Sequence, residues 1–207
     1  MRLEREGKRF GIAIIVLLLF TSCASFPGNK LPVVGGFQPL PDGPMKPTAA
    51  YSFSSGVDLF EKQEHVESVR IVLEHEFIDV LNESGYFASL TPGNQAEIII
   101  QARLVNSGTP TVIIPAIITG LSLYTIPSWA TDNYDVTAKV TTPDGKEHTY
   151  QLTDSITSYQ WLPLIVIAPF NTAGNVSKEV RQNIWKNLIL NMQQDGILPG
   201  QKIKKEK

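Results

Sequence analysis

Cys23 is the one thiol among 207 residues, and its surroundings give it a chemistry. Arg2, Arg5, Lys8 and Arg9 form a basic head, Gly11 to Phe20 read GIAIIVLLLF, and Thr21-Ser22-Cys23 follow. A basic region, a short apolar run and small residues make a secretory signal, here with a cleavage site that ends on a sulfur. The apolar run is ten residues long, half of the ~20 that a membrane-spanning helix needs. Other residues able to do chemistry are sparse. His75-Glu76, with Asp79 beyond, lacks the second histidine of a zinc-binding helix, and His65 lies ten residues back. A helical histidine amid glutamates reads as solvated or paired, and His148 beside a turn reads as exposed. Ser122 sits in GLSLY without an evident base. Gly35-Gly36 is no phosphate-binding pattern. Asp132, Asp135 and Asp154 stand near strands, where carboxylates are usually wet. The expectation is a protein that is not an enzyme, with no metal and no cofactor.

Thr21-Ser22-Cys23 behind the apolar run resembles the lipobox of bacterial lipoproteins, the signal cut by signal peptidase II. Phe20 stands where Leu is usual. The resemblance covers only the first 25 residues. It implies that residues 1–22 are a signal peptide and that Cys23 is the lipid attachment site, bearing a thioether-linked diacylglycerol and usually a third acyl chain such as palmitate. Such a cysteine is spent as nucleophile and as disulfide partner, and two or three chains anchor stably where one does not. An Asp after the cysteine commonly retains these proteins at the inner membrane. Ala24 and Ser25 stand there instead, which implies the outer membrane, periplasmic face.

Removing residues 1–22 leaves 14 basic and 18 acidic residues, a net charge of −4, which argues against nucleic acid as partner. A mature chain of this length suits one domain plus a tether. Charged residues are 18% of the chain against about 25% in average globular proteins.

The elements follow from periodicity. Residues 23–50 hold six of the prolines and four glycines, which predicts an extended, Pro/Gly-rich tether. Irregular packing on the domain through Val33, Val34, Phe37 and Leu40 is the alternative. Residues 50–55 suggest a short strand. From Val57 to Ser84 apolar residues (Leu59, Val66, Val69, Leu73, Phe77, Val80, Leu81) recur at helical spacing, stopped by Gly85. Strands are expected over 96–106, 133–142 and 147–157, the last two joined by the turn Pro143-Asp144-Gly145-Lys146. A second amphipathic helix should run from Val176 to Gln194, with Asn175 as its cap. The predicted fold is α+β, a two-layer sandwich of two amphipathic helices on a 3–4-stranded antiparallel sheet, in the order (β)-α-β-β-β-α. Residues 51–198 make the domain, and 199–207 a basic, disordered tail.

Charge is missing from two stretches. Between Arg103 and Asp132 lie 28 uncharged residues, and between Asp154 and Lys178 another 23. Their centres are 111–130 (TVIIPAIITGLSLYTIPSWA) and 159–170 (YQWLPLIVIAPF). Prolines 110, 115, 127, 163 and 169 and Gly120 interrupt both, so neither reads as a membrane-spanning helix. With the 143–146 turn at one end of a meander, both stretches fall at the other end and should meet. One reading makes them buried strands or core loops. The other makes them a projecting apolar patch. The second assigns docking or membrane contact to Ile113, Ile114, Ile117, Leu121, Tyr124, Trp129, Tyr159, Trp161, Leu164, Ile165 and Phe170, the aromatics with polar handles suiting a lipid boundary or an interface core.

Together these readings describe an outer-membrane-anchored envelope lipoprotein, non-enzymatic, that docks or assembles through an apolar pole. Its partners would be the membrane, through the acyl chains on Cys23, and an envelope protein or a second copy. The alternative is a periplasmic carrier or sensor of an apolar or lipid ligand, the two segments lining a pocket. In layout alone the chain is similar to accessory lipoproteins of polysaccharide or lipopolysaccharide export and to the TolB amino-terminal type of domain, and layout does not fix function.

Overall fold

Alternating apolar residues become the inward faces of long strands. The computed structural model describes residues 23–40, 45–59, 62–64, 67–108 and 112–199. The signal segment 1–22, His65 and the tail from 200 onward lie outside the described residues. In chain order the elements are β1 (Cys23–Pro27), β2 (Thr48–Leu59), β3 (Lys62–Glu64), α1 (Glu67–Ser84), β4 (Ser89–Pro92), β5 (Ile98–Gly108), α2 (Ile113–Leu121), β6 (Ser128–Thr141), β7 (Glu147–Gln160), a 3-10 turn (Leu162–Val166) and α3 (Ala173–Gln194). The inward faces are those expected: Ile98, Ile100, Ala102 and Leu104 on β5, Tyr134, Val136, Ala138 and Val140 on β6, and Tyr150, Leu152 and Ile156 on β7.

The chain forms two compact units. The larger holds Asn29–Ser107, Asn133–Ser155 and Lys178–Lys207; the smaller holds Met1–Gly28, Gly108–Asp132 and Ile156–Ser177.

In the larger unit the strands run β7-β6-β5-β2-β3, with β4 also on β2. β2 is parallel to β5, from Ala49 opposite Ile98 to Asp58 opposite Ser107, parallel to β4, and antiparallel to β3. The sheet is therefore mixed and has more strands than the 3–4 antiparallel ones expected, and the helices number three rather than two. Parallel pairing of β2 with β5 needs a crossover, and α1 is that crossover. It starts at Glu67, ten residues later than the periodicity suggested. Val57 and Leu59 satisfy a period of two as well as a helical one, and pairing of Val57 with Asn106 keeps them in strand.

Both helices of this unit bury their apolar stripes. α1 contributes Leu73, Phe77, Val80 and Leu81, and α3 contributes Val180, Ile184, Trp185, Leu188, Ile189 and Met192. Phe77 meets Trp185 edge-on at 4.9 Å and stacks on Phe53 at 5.6 Å. Each such ring, removed from water, is worth about 1.5–3 kcal/mol. Glu76 of α1 is buried too, and holds Arg181 of α3 through two hydrogen bonds of 2.7 and 2.8 Å. The Arg181 guanidinium lies 5.5 Å from the Tyr134 ring centroid. Gly85 ends α1 at φ +67°, and Gly145 takes φ +78° in the 143–146 turn, where the Thr142 N–H donates to the Lys146 carbonyl at 3.0 Å. α3 begins three residues before the expected start, and Thr172, not Asn175, is its cap: the Thr172 hydroxyl accepts the Asn175 N–H at 3.4 Å.

The stretch expected as a tether divides between the units. Its first five residues are β1, in the smaller one. Beyond, the Pro32 carbonyl accepts from the side-chain amides of Asn183 and Asn187 at 3.1 and 3.0 Å, and the Tyr86 hydroxyl donates to the Gln38 carbonyl at 2.8 Å. Phe37 packs edge-on against Tyr86 at 5.8 Å.

Candidate docking surface

A helix normally turns its apolar residues inward; α2 does the reverse. Its one buried residue is Thr119, fully enclosed, while Ile114 is 69% and Leu121 82% exposed, and Ile113, Ile117 and Ile118 also face solvent. The helix forms despite Pro115 because that residue is third in the first turn, where the amide has no helical partner to lose. Thr119 is satisfied locally: its hydroxyl donates to the Pro115 carbonyl at 3.0 Å. Nine residues at 1.5 Å each make about 14 Å, far short of a hydrocarbon core of about 30 Å. Among the described residues no helix is long and apolar enough to cross a membrane.

The chain leaves α2 through Leu123 and Tyr124, both in the left-handed region at φ +52° and +63°. Side chains seldom accept that conformation. It is held by the Tyr124 N–H, which donates to the Thr119 carbonyl at 2.8 Å. The Tyr124 carbonyl then accepts the Leu162 N–H at 2.8 Å, which joins the first charge-free segment to the second. Trp129 and Tyr159 add a ring contact at 6.4 Å. The second segment forms the 3-10 turn and continues with Val166 and Phe170, 74% and 80% exposed. Of the predicted contact residues, Ile113, Ile114, Ile117, Leu121, Trp129, Tyr159, Trp161 and Phe170 are exposed, and Tyr124, Leu164 and Ile165 are half-buried. Ile118, Leu123, Ile126, Val166 and Ile167 are exposed beside them and were not singled out from sequence. Their signal is the absence of charge, which marks the whole segment and no one residue.

Cys23 belongs to the same unit. β1 is antiparallel to β7, with Cys23 opposite Gln160, the residue before Trp161. The strand is fixed tightly: Ala24 and Ser25 are fully buried, Ser25 and Ser158 share a hydroxyl hydrogen bond of 2.6 Å, and the Ser25 N–H donates to the Asn171 carbonyl at 2.8 Å. Phe26 meets Tyr159 edge-on at 5.9 Å. Burial pushes the Cys23 thiol above its ordinary pKa, which suppresses the thiolate that nucleophilic or metal chemistry would need. Among the described residues of the smaller unit Asp132 is the only charged side chain. It is half-buried beside Gly108, and that burial raises its pKa.

A groove of about 110 Å³ runs under α2, lined by Val112, Ala116, Ser128, Trp129, Ala130, Ser158 and Gln160. Ligand pockets are usually about 300–1,000 Å³, so an acyl chain has no room here.

The polar candidates are dispersed. His75 and Asp79 are exposed on α1. His148 is not open to water as expected but stacks on Tyr150 at 6.5 Å, with Asp195 at 3.8 Å. Asp154 is buried rather than wet, accepting the Lys30 and Ser155 N–H groups at 3.2 and 2.8 Å. Asp135 is exposed and accepts the Thr153 hydroxyl. No group of three or more His, Cys, Asp or Glu able to hold a metal occurs among the described residues.

No protein-family model matches the sequence, and no curated protein sequence matches it. Similar solved structures include the rare lipoprotein B of Shewanella oneidensis (11% identical, 72% of this chain and 96% of that one, TM-score 0.43). A Xanthomonas campestris protein of the DUF330 family is 9% identical, over 80% of this chain and 91% of that one, with a TM-score of 0.40. A minor lipoprotein of Acinetobacter baumannii is 13% identical, over 72% and 95%, with a TM-score of 0.38.

Proposed function

We propose that this chain is a lipid-anchored protein of the bacterial outer membrane that works without catalysis, as a docking or assembly module. The observation that carries the reading is the inversion of α2: isoleucines and Leu121 face outward and a threonine inward, joined through Tyr124 and Leu162 to a second apolar segment. Exposed apolar area of this extent is uncommon on a free monomer and marks a surface that something covers. The anchor is argued from the basic head, the apolar run and Thr21-Ser22-Cys23; the outer membrane from Ala24 and Ser25. The small groove under α2 disfavours the carrier reading, which needs an interior space for an apolar ligand.

The test uses a soluble mature chain with Cys23→Ser, mixed with outer-membrane vesicles that offer both envelope lipid and envelope protein. It should sediment with them, and the Leu121→Ser/Phe170→Ser variant should lose at least tenfold in apparent affinity while keeping its thermal midpoint. Equal sedimentation of the two chains overturns the docking surface.

A further inference from the structure

We infer that the surface formed by α2, the 122–127 turn and residues 161–170 lies in the headgroup layer of the same bilayer that holds the acyl chains of Cys23. The inference rests on the docking reading and names its partner. Three observations favour lipid over protein. The first is where the anchor leaves the fold. Cys23 heads β1 opposite Gln160, so an acylated Cys23 sits one residue from Trp161, with fully buried Ala24 directly after it and no slack between. Strand residues advance about 3.3 Å each. Chains entering a bilayer from Cys23 therefore bring Trp161 and its neighbours to the level of the headgroups.

The second is charge. Protein interfaces keep a polar rim around an apolar centre. Here α2, the 122–127 turn and residues 161–170 carry no charge, and Asp132, the only charged side chain among the described residues of the unit, lies outside them, so no charge on that surface needs to be desolvated when it meets lipid. The third is chemistry at the edge of the apolar surface. Trp129, Tyr159 and Trp161, all exposed, join an apolar ring body to one polar atom, the combination that settles at the water–lipid boundary. A nine-residue helix can lie in that layer without spanning it.

The chain carries its own probes. Of its three tryptophans, Trp129 and Trp161 are exposed and Trp185 is buried in the larger unit. The acylated full chain is reconstituted into phosphatidylethanolamine–phosphatidylglycerol vesicles in which part of the phospholipid bears bromine on its acyl chains. The expected result is strong quenching by the brominated lipid, falling to background in the Trp129→Phe/Trp161→Phe variant, which retains only Trp185. Both replacements are at exposed rings, and a native circular dichroism spectrum checks the fold. Emission insensitive to brominated lipid and also to aqueous iodide would mean that protein covers the surface; bilayer contact is then wrong and docking stands. Emission insensitive to brominated lipid but quenched by iodide overturns both. A mature Cys23 without fatty acid, by intact mass, also overturns the inference, because the anchor fixes the surface against the bilayer.

Discussion

Glu76 and Arg181 form the pair on which the larger unit is most exposed to single substitutions. Glu76 is buried and Arg181 half-buried, and Glu76→Ala leaves the guanidinium, which water reaches only in part, without its carboxylate, a change that costs about 1–3 kcal/mol. Urea unfolding should show this as a lowered midpoint with an unchanged slope, and a midpoint within error of the parent would contradict the pairing. Its spacing places Glu76 on the buried stripe of α1 with Leu73, Phe77, Val80 and Leu81, whereas its partner is not legible there. The pairing is legible only once Arg181, 105 residues away, is placed opposite. Asp132 behaves differently. Its pKa is raised by burial, so the native state favours the neutral carboxyl. The neutral form supports the fold below the unfolded pKa of about 4, and that support is lost as pH rises through the higher folded value. Asp132→Asn should therefore raise the thermal midpoint at pH 7, and the gain should shrink as pH falls toward 4. A gain that grew on acidification would reverse the sign of the argument.

At the scale of elements, β1 is the strand that carries Cys23, the proposed anchor, into the fold. Ser25→Pro removes the N–H that bonds Asn171 and the hydroxyl that bonds Ser158. Loss of bonds worth about 1 kcal/mol each should speed amide exchange at Ala24 and Phe26 by tenfold or more, and leave α1 unchanged. Protection unaltered at both amides would show that these bonds do not hold β1. This strand was not legible: CASFP lacks alternation, precedes a Pro-rich run, and gains its order only from β7. α2 was hidden by Pro115 and Gly120, which read as breakers although a first-turn proline is tolerated. The inward faces of β5, β6 and β7 were legible because each alternates over seven residues or more. The parallel pairing of β2 was not, since one strand's pattern does not reveal the direction of its neighbour. The two charge-free stretches stood out because a run without charge needs no partner to be seen, whereas their exposure depended on which way α2 turned.

At the scale of the molecule, a larger unit with a conventional core accompanies a smaller unit whose described residues carry a single charge, Asp132, and include both Cys23 and the outward isoleucines. The proposed attachment surface thus uses residues other than those that form the larger unit's core. Variants at Ile114, Leu121 or Phe170 should change attachment with little change in folding. The most direct test is hydrogen exchange by mass spectrometry on the acylated chain in vesicles against the Cys23→Ser chain in solution. The account predicts added protection over residues 112–127 and 161–171 and none over α1. Equal exchange in both states across those two segments, or protection that falls on α1 instead, would contradict it.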